Sequence, residues 1–348
     1  MGPHREKAEV ELEAELAAAE ALLSDGEPTA RIDPPCALAP CTPPVRARNT
    51  LVGRYLLQER LGVGGMGEVY AAFDTKLNRK VALKLLLPGN GLEHAEACLR
   101  LLREAQAMAS LRHRNVLSVY EMGEHEGQVF IALELVEGHN LRQWLKAEKR
   151  SWSEVVRVLS EAGRGLAAAH AAGLVHRDFK PDNVLVGRDG RVLVFDFGLA
   201  CEEGSCGQDW AEDSLLEELL PLPRSLETPV TRAGAVMGTP GYMAPEQYRR
   251  EPASALADQF SFCATLYLAL YGEHAFEGCN ASVLAQATLE GRVRLPPAHV
   301  RVPEWLREVV LKGLSVRPED RYPTMEALLA ALERKPTRRR RDGFASAA

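Results

Sequence analysis

The sequence contains no unbroken run of eighteen apolar residues, the length from which a membrane-spanning helix is read. Its first twenty-five residues alternate Glu with Ala and Leu and lack the basic-then-apolar order of a secretory leader. Neither a spanning helix nor an export signal is expected. There is no surplus of positive charge: 42 Lys and Arg against 48 Asp and Glu leave a formal charge of −6. Binding driven by counterion release requires a cationic surface, so nucleic acid is not an expected partner and any basic surface must be local. Cysteine is scarce and odd in number, seven in 348 residues, without the spacing of a disulfide-stapled scaffold. Reduced thiols in a cytoplasm are the economical reading.

What is present is a chain of 348 residues with 46% hydrophobic content, enough for a two-lobed enzyme of ordinary core size. Residues 1–26 form an Ala/Glu/Leu-rich helical extension closed by Ser24-Asp25-Gly26. Residues 27–50 hold six of the 21 prolines and few large apolar groups; such a stretch buries too little surface to order itself and reads as a linker. From Tyr55 to about Leu92 the runs Tyr55-Leu56-Leu57, Val69-Tyr70-Ala71 and Val81-Ala82-Leu83-Lys84-Leu85 are strand-like, with Gly, Asp and Asn turn signals between them. Beyond Glu93 helices are expected to take over, beginning with 95–111. A β-rich front and an α-rich back predict an α+β fold of two lobes with a cleft between them.

The cleft chemistry begins at Gly62-Val63-Gly64-Gly65-Met66-Gly67-Glu68-Val69. Alone, this G-x-G-x-x-G pattern fits an ordinary Gly-rich hairpin as well as a phosphate site. A dinucleotide fold would have the glycines open a helix; here the chain continues as a strand, which favours a hairpin lid over phosphates. Glycine allows the backbone approach that turns amide N–H groups toward phosphate oxygens. Lys84 ends an apolar strand and would face the α- and β-phosphates. Glu104, on the following helix, is the natural carboxylate to fix that cation.

Three further strings follow: His176-Arg177-Asp178-Phe179-Lys180-Pro181-Asp182-Asn183, then Val194-Phe195-Asp196-Phe197-Gly198, then Gly238-Thr239-Pro240-Gly241-Tyr242-Met243-Ala244-Pro245-Glu246. With them the chain resembles the protein kinase family, specifically the bacterial serine/threonine kinases of eukaryotic (Hanks) type, over residues 55–332. The resemblance implies a protein kinase domain at 51–333 with a small β-rich N-lobe and a larger helical C-lobe. It implies transfer of the γ-phosphate of ATP to Ser or Thr hydroxyls of proteins, the chain itself included in trans, in bacterial signalling. Asp178 would accept the hydroxyl proton, and Lys180 would contact the transferring phosphate. Asn183 and Asp196 would hold Mg²⁺, with Mn²⁺ an alternative. Leu133 would be the gatekeeper, the Glu134 carbonyl and the Val136 amide would pair with adenine, and Val69 and Ala82 would sandwich the ring. Leu61, Gly62, Gly64 and Gly67 complete the nucleotide site.

Scaffold residues follow from the same resemblance. Asp258 should hold the backbone around His176, Arg321 should pair with Glu246, and Met108, Val119, His176 and Phe197 should stack as a column joining the lobes. Individual features remain. The segment from Asp196 to Glu246 is 51 residues long, and 201–230 within it carries eight acids against the single Arg224, an acidic insert read as an exposed loop. Its phosphate-acceptor candidates are Thr231, Thr228 and Thr239, with Ser225 a substitute; Ala233 stands where relatives often offer a second threonine. Arg177 would receive the phosphate. The pairs Cys36/Cys41 and Cys201/Cys206 could hold Zn²⁺ or form a redox clamp, with free thiols the default. Residues 334–348 form a basic tail with six cations at 334–341, a solvated end or a weak contact with an anionic membrane. Two other functions stay open, a nucleotide-binding scaffold and a small-molecule phosphotransferase. Lys84, Asp178 and Asp196 weigh against the first, and the peptide-holding segment before Glu246 weighs against the second.

Overall fold

A computed structural model describes residues 48–64, 67–86, 108–109, 111–197 and 239–333. The first lobe is a six-stranded antiparallel sheet. Its strands are β1 (Leu51–Val52), β2 (Tyr55–Gly64), β3 (Gly67–Asp74), β4 (Arg79–Leu86), β5 (Val119–His125) and β6 (Gln128–Glu134), in the spatial order β1-β2-β3-β4-β6-β5. The β-rich front therefore extends past Glu93, where helices were expected to take over apart from a buried strand read at 129–135, and β5 is the strand that was not expected. β6 slots between β4 and β5, and the half-exposed β5, broken by a register shift between Val119 and Glu121, lacks the clean apolar alternation that would have announced it.

Side-chain alternation gives this sheet two different faces. Tyr55, Leu57, Tyr70, Val81, Leu83, Leu85 and Phe130 pack on one another as the core of the lobe. Val69, Ala82 and Lys84, offset by one residue from these, face the cleft instead. Gly67 has a steric reason to be glycine: a Cβ there would collide with the Leu85 carbonyl oxygen on β4. β3 is thus held close to β4 where the glycine-rich turn begins.

After β6 the chain crosses into the second lobe through β7 (Gly138–Asn140), α1 (Leu141–Ala147) and α2 (Trp152–Ala171). Both helices start on a capping box, Asn140 with Gln143 and Ser151 with Glu154. Val155, Val158, Leu159, Ala162 and Leu166 recur at helical spacing and form the buried stripe of α2. β8 (Val184–Gly187) and β9 (Val192–Val194) join β7 in a small antiparallel sheet. Then follow α3 (Pro245–Tyr248), α4 (Ala255–Tyr271), α5 (Ala281–Leu289), α6 (Glu304–Gly313) and α7 (Met325–Glu333). α4 is buried on nearly every side, as its almost continuous apolar sequence requires. It is capped by Ser254 and ended by Gly272 in the left-handed region at φ 76°. Among the described residues no helix is long and apolar enough to cross a membrane. The expected extension at 1–26, the acidic insert at 201–230, the basic tail and both cysteine pairs lie outside the described residues. Cys263 and Cys279 are free thiols, and burial pushes the Cys263 thiol up to about 12.

Candidate active site

A cleft of about 820 Å³ opens between the sheet and the second lobe. Leu61, Gly62, Gly67, Val69, Ala82 and Lys84 line it from the sheet, and Leu133, Glu134 and Val136 from the strand that crosses between lobes. Asp178, Lys180, Asn183 and Asp196 line it from below. Gly64 ends β2 opposite Gly67. Residues separated by more than a hundred positions in sequence are thus gathered on one cavity. Glu104 lies outside the described residues, as do Thr228 and Thr231.

The lower wall is built on a buried carboxylate. Asp258, in the first turn of α4, accepts the backbone N–H groups of His176 and Arg177, each at 2.7 Å, and contacts His170 Nε2 at 2.8 Å. Burial pushes its carboxyl up, but the His170 hydrogen bond, the nearby imidazoles and the His176 amide outweigh it and hold the group below the usual carboxylate range. Arg177 and Asp196 adopt positive φ, 65° and 60°, conformations that cost a non-glycine residue of order 1–3 kcal/mol. For Arg177 the surroundings supply the restraint: Asp258 takes its N–H, and Gln247 Nε2 donates to its carbonyl at 2.8 Å. The His176 ring lies against Phe197, tilted by 35° with ring centroids 4.6 Å apart. Met108 and Phe197 share the core of the second lobe, and Val119 packs against it.

Above this scaffold the charged groups form two clusters. In the first, Lys180 Nζ donates to Asp178 Oδ2 at 2.5 Å and to Thr239 Oγ1 at 2.7 Å, while Thr239 donates its hydroxyl and its amide to Asp178 Oδ1 at 2.7 and 2.9 Å. Thr239, one of the acceptor candidates, is therefore placed with its hydroxyl engaged by both charged neighbours. Asn183 Nδ2 donates to the Asp178 carbonyl at 2.9 Å, which fixes the loop between them. In the second cluster Lys84 Nζ meets Asp196 Oδ1 at 2.6 Å. Recessed in the cleft, the Asp196 carboxyl is pushed up by desolvation, but the Lys84 ammonium overrides this and holds it below its ordinary value. Glu134 places its carboxylate on Arg191 at 2.6 Å, tying the crossing strand to the small sheet of the second lobe.

One network had no sequence signal. Arg142 on α1 forms a bidentate pair with Asp182 at 2.7–3.0 Å and donates to the Tyr242 hydroxyl at 3.3 Å. It links the first helix of the lobe, the loop after Asp178 and the segment before Glu246. Asp182 lay inside a motif that was read; Arg142 sits in an unremarkable amphipathic helix. The pair expected between Arg321 and Glu246 is present, two parallel bonds of 2.7 and 2.8 Å with both side chains buried.

The family described as protein kinase domain matches residues 55–331. The chain belongs to the protein kinase family. Among curated relatives of this kinase domain are two from Mycobacterium tuberculosis. Serine/threonine-protein kinase PknA is 36% identical over 283 residues, covering 80% of this chain and 60% of the relative. Serine/threonine-protein kinase PknB is 34% identical over 290 residues, covering 82% and 43%. Serine/threonine-protein kinase PknD of Chlamydia abortus is 31% identical over 294 residues, covering 80% and 30%. The chain thus spans between about a third and three fifths of the length of these relatives. Proteins of this family use ATP and a divalent metal, and the bilobal architecture with its interlobe cleft is that of the family.

Proposed function

We propose that the chain is a protein serine/threonine kinase that transfers the γ-phosphate of ATP to Ser or Thr hydroxyls of proteins, itself in trans included, in bacterial signalling. The observation that carries this reading is the Asp178, Lys180 and Thr239 cluster, opening on the same cleft as Lys84, Asp196 and Asn183. Phosphoryl transfer asks for little covalent chemistry from the protein, so placement and charge supply most of the acceleration. Asp178 is the acceptor for the proton of the incoming hydroxyl and orients it toward phosphorus. The Lys180 ammonium offsets charge on the phosphoryl group in flight, and its bond to Thr239 holds it against that position. Lys84 is assigned to the α- and β-phosphates. Gly62, Gly64 and Gly67 are assigned to the cover of the triphosphate, and Val69 and Ala82 to the faces of the adenine ring. The edge of the ring meets the Glu134 carbonyl and the Val136 amide.

The donor set suits a hard divalent cation. Asp196 offers a carboxylate, and Asn183, whose Nδ2 is spent on the Asp178 carbonyl, keeps its amide oxygen as the acceptor. Among the described residues no three His, Cys, Asp or Glu side chains form a closed cage, which matches an ion whose remaining ligands are phosphate oxygens and water. Mg²⁺, or Mn²⁺ in its place, would neutralise charge on the triphosphate. Autophosphorylation is assigned to the 205–239 stretch with Thr231 leading and Thr228 second, while the Thr239 hydroxyl is already engaged. Arg177, the expected phosphate receiver, has its Nε buried without a hydrogen-bond partner among the described residues. We place the protein in the cytoplasm, with weak, reversible contact to anionic lipid through the basic tail.

The test is incubation of the full chain with labelled ATP and Mg²⁺, alone and with a Ser/Thr protein substrate, followed by mapping of the phosphorylated residues. Incorporation that requires the metal and vanishes in excess chelator is expected. No incorporation into either protein, or incorporation unaffected by chelator, overturns the assignment.

A further inference from the structure

The glycine-rich hairpin must arrive at one height above the cleft. Its two sides are held unequally. On the β3 side Gly67 pairs with Leu86 and Glu68 with Leu85, so this flank is fixed to β4. The β2 flank pairs with β3 alone near the tip, and its ladder is broken twice, between Leu57 and Arg60 and again between Arg60 and Gly62. At the second break Arg60 faces Tyr70 and Gly62 faces Val69, so Leu61 is an extra residue, a bulge that interrupts the backbone hydrogen bonds. Gly62, just beyond it, has no atom within 4 Å of where a Cβ would sit. The ladder resumes beyond the bulge with Gly62 on Val69, Val63 on Glu68 and Gly64 on Gly67, so backbone pairing leaves the bulge itself as the weak point of the entry strand.

A side-chain clamp spans that break. Glu68 is 5% exposed, unusual for a carboxylate beside a glycine-rich turn. Each of its oxygens is taken: Arg60 Nη1 donates to Oε1 at 3.0 Å and the Tyr70 hydroxyl to Oε2 at 2.9 Å. Strand alternation puts Val69 toward the cleft, so Glu68 and Tyr70 lie on the opposite face. Glu68 therefore reaches no nucleotide. It joins the fixed β3 flank to the interrupted β2 flank, and Tyr70, in the core of the lobe, fixes the carboxylate from below.

We propose that Glu68, with Arg60, is a positioning residue for nucleotide binding: the pair sets the height and register of the glycine-rich hairpin where the bulge at Leu61 leaves the strand ladder open. The proposal rests on reading that hairpin as the cover of the ATP phosphates. It predicts an effect on nucleotide affinity out of proportion to any effect on the acceptor peptide, because peptide contacts belong to the Asp178 and Thr239 side of the cleft.

The experiment uses the full chain and ATP itself, with binding by calorimetry and steady-state kinetics in ATP and in peptide, for Glu68→Gln, Arg60→Gln, Arg60→Lys and Tyr70→Phe. Glu68→Gln and Arg60→Gln should raise both the Kd and the KM for ATP by about ten-fold, a loss equivalent to ~1.4 kcal/mol. Peptide KM should stay within about twofold, since it reports contacts the pair does not touch. Arg60→Lys should recover most of the ATP affinity by keeping the charge. Tyr70→Phe, which deletes one of the two contacts, should fall between wild type and Glu68→Gln. ATP affinity unchanged in folded Glu68→Gln and Arg60→Gln would overturn the proposal. So would a parallel loss of ATP affinity, peptide KM and melting temperature, the signature of a merely structural role. If Glu68→Gln does not fold, Arg60→Gln decides, because its side chain is a third exposed. A wild-type chain that binds ATP but transfers no phosphate would sink the assigned activity and leave the clamp to stand or fall on the binding data.

Discussion

Replacing Glu246 by Ala should unfold this kinase domain more readily than any exposed charge substitution, for a reason that can be counted on the partner. Arg321 is fully enclosed, and each of its donor nitrogens is used: Nε on the Ser315 carbonyl, Nη1 on Glu246 and the Leu256 carbonyl, Nη2 on Glu246 and the Val316 carbonyl. The two side chains are 0% and 4% exposed. Removing Glu246 leaves a guanidinium buried, desolvated and without its counter-charge, a change that costs about 3–5 kcal/mol. A domain has roughly 5–15 kcal/mol in total. At about 2–4 °C per kcal/mol for a chain of this size, the melting temperature should fall by roughly 6–20 °C. The loss should also reach function, since Glu246 ends the segment that begins with Thr239 beside Asp178. Thermal unfolding followed by circular dichroism measures it. The double variant Glu246→Leu with Arg321→Met removes both charges together and should melt above either single variant. A single variant that melts within about 2 °C of wild type, or a double variant worse than the two singles combined, would refute the argument.

Other expectations follow from the same geometry. Asp178→Asn should keep ATP affinity while peptide phosphorylation drops by about 10²–10⁴, because only the proton acceptor and hydroxyl orienter is lost; near-wild-type transfer would show that the base is misassigned. Thr231→Ala combined with Thr228→Ala should slow autophosphorylation, and phosphosites mapped only outside 205–239 would contradict the assigned stretch. Asp258 titrates below its ordinary value when folded, so the stability it contributes is present above pH of about 4 and is lost as the pH falls through its folded value. Asp258→Asn should therefore unfold at lower urea at neutral pH and lose less on acidification; urea midpoints with parallel pH slopes would count against this. Truncation after Glu333 should abolish low-salt binding to anionic vesicles, each cation near such a surface contributing about 1 kcal/mol; equal binding by both forms would leave the tail a solvated end.

The proposed chemistry of this protein rests on short strings, because catalysis by placement needs particular groups at particular spacings. Asp178, Lys180 and Asn183 sit within six residues, and the backbone of one loop presents all three to the cleft. Lys84 was expected to face the phosphates from the end of an apolar strand, and alternation along β4 turns it to the cleft with Leu83 and Leu85 in the core. The carboxylate beneath that loop and the buried partner of Glu246 were named through the family resemblance, and both contacts are present. The sequence could not announce every mate. Lys84 meets Asp196, 112 positions away, while Glu104, its expected partner, lies outside the described residues. Arg142 carries no local mark that it will bridge Asp182 and Tyr242. Nor does Glu68, a common charge beside a glycine-rich turn, announce that a bulge in the facing strand will bury it against Arg60. Local pattern determines which face a residue occupies, through periods of 2 and 3.6 that are fixed by the backbone. Which residue it meets there depends on strand register, bulges and helix docking. Those are set by packing across the whole chain, and only the tertiary structure decided them.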